Sequence, residues 1–131
     1  LSIRRQRQMC IRDSAYLEAI PTPPKEQVEN VAMVAKGKEI FHSDTAQCGT
    51  CHHDGGTDNK THDFGSKAKA DKKGGFNTPS LSYLSGRGQF FHDGRFENLR
   101  DLLVQADGMM GKTKHLKPEE MDALEAYLRT L

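Results

Sequence analysis

The sequence has no tryptophan, only 7% aromatic residues and an apolar fraction of 35%. A core of 131 residues made from so little apolar material is marginal. No run is apolar and long enough to span a membrane, and residues 1–14 lack the apolar stretch of a signal peptide. Charge excess is also missing. The formal charge is +1, from 19 basic and 18 acidic residues, which argues against a nucleic-acid partner. Arg4, Arg5, Arg7 and Arg12 account for much of the basic side, so residues 15–131 are slightly acidic. At this length the chain is one domain, or one domain with a tail.

Of the three cysteines, two stand in Cys48-Gly49-Thr50-Cys51-His52. Cys-x-x-Cys-His is the attachment pattern of a c-type haem. Two thiols on one turn reach the two vinyl groups of a porphyrin, and the following imidazole is directed to the iron as proximal ligand. Gly49 and Thr50 are small and leave the approach of the ring free. A thioredoxin-like pair would need a βαβ context, and none is visible. A zinc site would need further ligands; His53 and His62 are available, but no second cysteine pair follows. One covalent haem c is the reading adopted, with a zinc-binding module as the minor alternative. A buried porphyrin also supplies the apolar surface that the composition lacks.

Ile20-Pro21-Thr22-Pro23-Pro24 reads as a stiff linker. It separates a tail and linker (1–26) from a domain (27–131). The opening Arg-Arg-Gln-Arg-Gln-Met-Cys-Ile-Arg-Asp-Ser resembles translated adaptor sequence, the alternative being a disordered basic tail. From Lys25 to Phe41 the spacing predicts a helix with Val28, Val31, Val34 or Ala35, Ile40 and Phe41 inward. A second is expected over Phe96–Ala106, with Phe96, Leu99, Leu102, Leu103 and Ala106 inward and Gly108 ending it. A terminal helix should start at Pro118, with Met121, Leu124, Tyr127, Leu128 and Leu131 on one face. Gly37 within the first helix needs a packing reason, and a close crossing with the last helix, beside Phe41 and Tyr127, provides one. Residues 53–94 have almost no periodicity, which suits a loop wrapped around a cofactor.

This order of elements resembles the cytochrome c fold: all-α, three to five helices around one covalent haem, with long irregular loops. Gly37-Lys38-Glu39-Ile40-Phe41, Phe76-Asn77-Thr78-Pro79-Ser80-Leu81 and Phe90-Phe91-His92-Asp93-Gly94-Arg95-Phe96-Glu97-Asn98-Leu99 further resemble the C-terminal haem domain of bacterial dihaem cytochrome c peroxidases and MauG proteins. The resemblance implies an electron-transfer haem whose peroxide-reactive counterpart sits in a separate N-terminal domain, and an extracytoplasmic, periplasmic location. With one haem motif and no signal peptide, the chain is expected to be a fragment of a larger exported haem protein. It would be an electron-transfer module by itself. The alternative is a part of a dihaem peroxidase or MauG-like oxidoreductase reducing hydrogen peroxide. Small cytochromes or cupredoxins are the expected partners, with a possible N-terminal haem domain. Calcium, often bound between the two domains of such proteins, is not claimed at Thr78 and Pro79.

A distal thioether is expected after the second of these helices, where Gly108 and Gly111 flank Met109 and Met110. Met110 is the choice, ahead of Met109, His115 and His92. Met33 and Met121 read as core. The resemblance implies that His92 lies near the haem edge without being an axial ligand; hydrogen bonding to a propionate or a place on an electron path are its candidate roles, and capping the turn before the next helix is the alternative. Arg87 and Arg95 are candidates for propionate contacts. His42 and His62 read as solvated or turn residues, and His53 as pointing away from the ring. Lys60, Lys67, Lys69, Lys72 and Lys73 read as a solvated loop, with steering of an acidic partner as the alternative. Expressed with a cytochrome c maturation system, the protein should be red and keep its haem through acid–acetone extraction, and Cys48→Ala with Cys51→Ala should abolish attachment. Extractable colour in the parent, or zinc in place of iron by elemental analysis, would end the reading.

Overall fold

Gly37 lies where two helices cross, α2 (Val31–Phe41) and α4 (Pro118–Arg129). A Cβ there would overlap the Ala123 carbonyl and stand 2.7 Å from Tyr127 Cβ, so only glycine permits this approach. Beside the crossing, the rings of Phe41 and Tyr127 meet edge to face at 5.3 Å, and Phe41 and Leu124 are the largest fully buried side chains. The expected inward face of α4 is buried at Met121, Leu124, Tyr127 and Leu128, and Ala123 joins it. Pro118 opens that helix, and Glu120 returns its carboxylate to the Lys117 N–H at 3.0 Å.

The computed structural model describes residues 3–21 and 24–131, and side chains from Arg7 onward; Thr22 and Pro23 of the linker, and the side chains of Arg4 and Arg5, lie outside the described residues. Residues Ile3–Ala19 form a helix, α1, where a tail without structure was the alternative to adaptor sequence. Arg, Gln, Met, Leu, Glu and Ala favour a helix there, and no proline intervenes before Pro21. Its described side chains are exposed. Among the described residues no helix is long and apolar enough to cross a membrane.

Two helix starts differ from expectation. α2 begins at Val31, not Lys25, because the Asn30 side chain accepts from Met33 N at 3.0 Å and caps the first turn. Val31 is consequently 75% exposed instead of inward. α3 spans only Leu99–Gln105, capped by Asn98, which accepts from Asp101 N at 2.8 Å. Phe96 lies before it in an antiparallel bridge with Phe90 and is buried there. Arg100 ties α3 to α4 through Asp122 and Glu125, the latter at 2.7 Å.

Between α2 and α3 the chain is irregular. Single 3-10 turns cover Cys48–Thr50, His53–Gly55 and Leu84–Gly86. Strands β1 (Thr61–His62) and β2 (Phe76–Asn77) pair antiparallel, with Thr61 opposite Asn77 and His62 opposite Phe76. The result is a mostly helical, cytochrome c-like fold in which irregular chain supplies most of the lining of a cavity, joined by core residues such as Leu84, Phe90 and Leu102. Gly37→Ala should lower stability by about 3 kcal/mol through overpacking, measured by denaturant unfolding. Gly86→Ala, where a Cβ meets nothing within 4 Å, should stay within about 0.5 kcal/mol of the parent.

Candidate functional site

The cavity holds about 500 Å³, within the ~300–1,000 Å³ range of cofactor pockets. Its walls are largely apolar: Phe64, Phe76, Pro79, Leu81, Leu84, Phe90, Phe91 and Leu102. Cys51 and His52 enter from one side, Met109 and Met110 from the segment after α3.

The motif is set by a turn that Gln47 enters at φ 60. Cys51 N and His52 N both donate to Cys48 O, at 3.4 and 3.1 Å. His52 is thereby fixed at 6% exposure. Its Nδ1 is buried without a hydrogen-bond partner, although the backbone of Gly56 and Pro79 faces the ring. Burial pushes the imidazole pKa down, so the ring is neutral, as a metal ligand must be. Cys48 does not line the cavity. Its thiol is buried against Ala46 O, in the space that a Cβ on Gly111 would fill, and burial pushes it up to about 11. A Cβ on Gly49 would stand 2.8 Å from Nδ1 of the exposed His42 ring, just past the end of α2.

The segment facing the motif is held by main-chain bonds. Leu81 N donates to Gly55 O at 2.8 Å, Thr78 N to Lys60 O at 3.0 Å, and Thr57 Oγ1 to Thr78 O. Gly55 itself packs against Leu131, so the end of α4 also buttresses the motif.

The other expected residues separate. Arg87 lines the cavity and donates to Ser80 O at 3.1 Å. His92 lines it too, stacked on Phe76 at 3.7 Å with Nε2 2.8 Å from Asp71 Oδ2; it does not cap α3, which Asn98 does. Arg95 is not part of the lining. Its guanidinium is engaged with Asp93, lies over the Phe91 ring at 4.8 Å and donates to Ser66 O. His62, expected in solvent, lines the cavity with Nε2 2.7 Å from Asp58 Oδ2, and its ring stacks on Phe64. His42, His53 and His115 are exposed and outside the lining. Phe64, Leu84 and Gln47 also face the cavity without having been singled out; only the apolar character of Phe64 and Leu84 hinted at it.

For zinc, the arrangement is poor. Among the described residues Cys51, Asp58 and His62 are the group whose ligand atoms lie within 4.8 Å of one another. Cys48 is outside it, leaving three ligands where a structural site takes four. A c-type haem fits better, since a buried imidazole with an unpaired Nδ1, a thiol, two methionines and several aromatic rings line one cavity.

Comparisons agree with that chemistry. A family model described as di-haem cytochrome c peroxidase matches residues 32–131. Hydrazine synthase subunit gamma of Kuenenia stuttgartiensis is 39% identical over 59 residues, which are 43% of this chain and 17% of that protein. A solved structure of hydrazine synthase from the same organism superposes with a TM-score of 0.72 at 21% identity, over 88% of this chain and 52% of that chain, a likeness of fold. The chain thus spans about half or less of each of these relatives. It belongs to the di-haem cytochrome c peroxidase family, as a c-type haem domain with a cytochrome c-like fold.

Proposed function

We propose that residues 27–131 form a single-haem electron-transfer domain of a larger, periplasmic haem protein, with residues 1–26 outside it. Cys48 and Cys51 would carry the thioether links, Cys48 after turning its thiol from Gly111 toward the cavity. His52 and Met110 would hold the iron. The observation that carries the reading is the placement of the buried His52 and the Met109–Met110 pair on one apolar cavity. When bound, the haem supplies a one-electron ferric/ferrous couple.

The residues around it have separable tasks. His52 stays neutral through burial and binds through its free face. The methionine thioether is soft and uncharged and favours the reduced state. Phe76, Phe90, Phe91 and Leu84 exclude water. Arg87, on the wall, is a candidate for a propionate, and His92 lines the same cavity. The exposed lysines of 60–73 stand on the same wall as Phe64 and Ser66 and suit a small redox partner such as a cytochrome or cupredoxin with an acidic face. The family also supports an alternative, in which the full-length protein reduces peroxide at a second haem and this domain feeds it electrons.

Ferric holoprotein should show the weak red charge-transfer band of an iron–thioether bond. Met110→Ala should abolish it and Met109→Ala should leave it. The reverse result would exchange the two, and loss in neither would point to a histidine. In stopped-flow mixing, reduced protein should pass electrons rapidly to an oxidised small cytochrome and react slowly, without saturation, with peroxide. Saturable peroxide turnover unaffected by Met110→Ala would make the domain an enzyme instead.

A further inference from the structure

Met109 and Met110 sit in a loop, residues 107–113, that belongs to no helix or strand. We propose that Asp107 is the positioning residue of this loop: its carboxylate fixes the path of residues 108–112 and so the presentation of a thioether to the iron. The inference rests on the histidine–methionine ligation proposed above and goes further, to a residue that neither the motif nor the cavity lining points to.

Asp107 follows directly on α3. Its Oδ1 accepts from Thr113 N at 2.7 Å and Lys114 N at 2.9 Å, and Thr113 Oγ1 lies 3.5 Å away. Both ends of the loop are thus joined at one oxygen. Thr113 is itself 4% exposed and donates its hydroxyl to Leu103 O, which anchors that junction on α3. Within the ring Gly108 N donates to Gly111 O at 2.7 Å. Lys112 N donates to Ala46 O at 2.8 Å, which registers the loop against the segment leading into Cys48. Gly111, at φ +147, lets the backbone close onto the Cys48 thiol, where a Cβ would stand 2.8 Å from Sγ. Both methionines are half-buried against the core, and these bonds set the path of the backbone that carries them.

Ferric iron binds thioether weakly, and the bond survives competition because the sulfur is held in place. An aspartate collecting two backbone N–H groups at one oxygen is a strong, charge-assisted clamp. Without it the loop gains conformations that carry the sulfur away, and exogenous ligands enter more readily.

The test is a titration of ferric holoprotein with imidazole, following loss of the thioether charge-transfer band, together with the reduction potential. In Asp107→Ala the band should be half lost at about tenfold lower imidazole, in line with the effect of removing an outer-shell partner, and the potential should fall. Asp107→Asn keeps an acceptor oxygen but loses the charge, and should fall between the parent and Asp107→Ala in both. Asp107→Ala behaving as the parent overturns the proposal, as does Asp107→Asn failing as badly as alanine. If Asp107→Ala does not fold, Asp107→Glu, which displaces the acceptor by one methylene, must show the same weakened ligation, or the proposal falls. A parent protein with no thioether band overturns the ligation itself and the clamp with it; a parent band with unresponsive Asp107 variants overturns the clamp alone.

Discussion

The close crossing of α2 and α4 at Gly37 is the constraint on which the rest depends. It brings the Ala123 backbone against the Gly37 backbone and leaves Phe41 and Tyr127 to pack edge to face beside it. From there the chain runs only a few residues before the Cys48 turn, while the end of α4 reaches across to Gly55 on the far side of the same turn. The motif is therefore gripped from both flanks by one helical pair. The cavity can be walled by irregular chain because nothing in that wall has to hold the pair together.

Polar groups around the cavity are paired more often than composition suggests. His62 faces Asp58, His92 faces Asp71, and Arg95 faces Asp93. Hydrogen bonds from the Lys60 N–H, His62 and Thr78 hold the Asp58 carboxyl far below the ordinary range, and the Ala68 N–H and His92 lower that of Asp71. Each pair spans a bend of the loop. Beside the apolar contacts of Leu84, Phe90 and Phe91, such pairs fix where the bends of the loop lie.

Much of this was legible in the sequence because the signals were local. Pro118, the spacing of Met121 to Leu128, and Gly37 opposite a helix each constrain one turn of chain. Cys48 to His52 names its own chemistry. The start of α2 was not legible: Val28 and Val31 continue the helical period, yet one side-chain oxygen, Asn30 Oδ1, takes the Met33 N–H and stops it. His62 read as solvated from its polar neighbours in sequence, but its surroundings come from Asp58 and Phe64 folded back by β1 and β2. Arg95 was drawn away from the cavity by an acid two residues before it. Such errors share a cause: periodicity and composition describe neighbours along the chain, and these side chains answer to neighbours across it.

The wall between β1 and β2 hangs from two side-chain ties, Asp71 to His92 and Ser66 O to Arg95, with the strand pair at its base. A flap attached in this way opens at lower free energy than the helices behind it, and loop length itself adds little entropic cost. Its residues can lengthen, shorten or change sign without asking the helical pair to refold. The domain thus separates what must be kept, a grip on one turn of chain, from what can be rewritten, the face it shows to other proteins. Substitutions at exposed positions of that loop leave the crossing at Gly37 untouched.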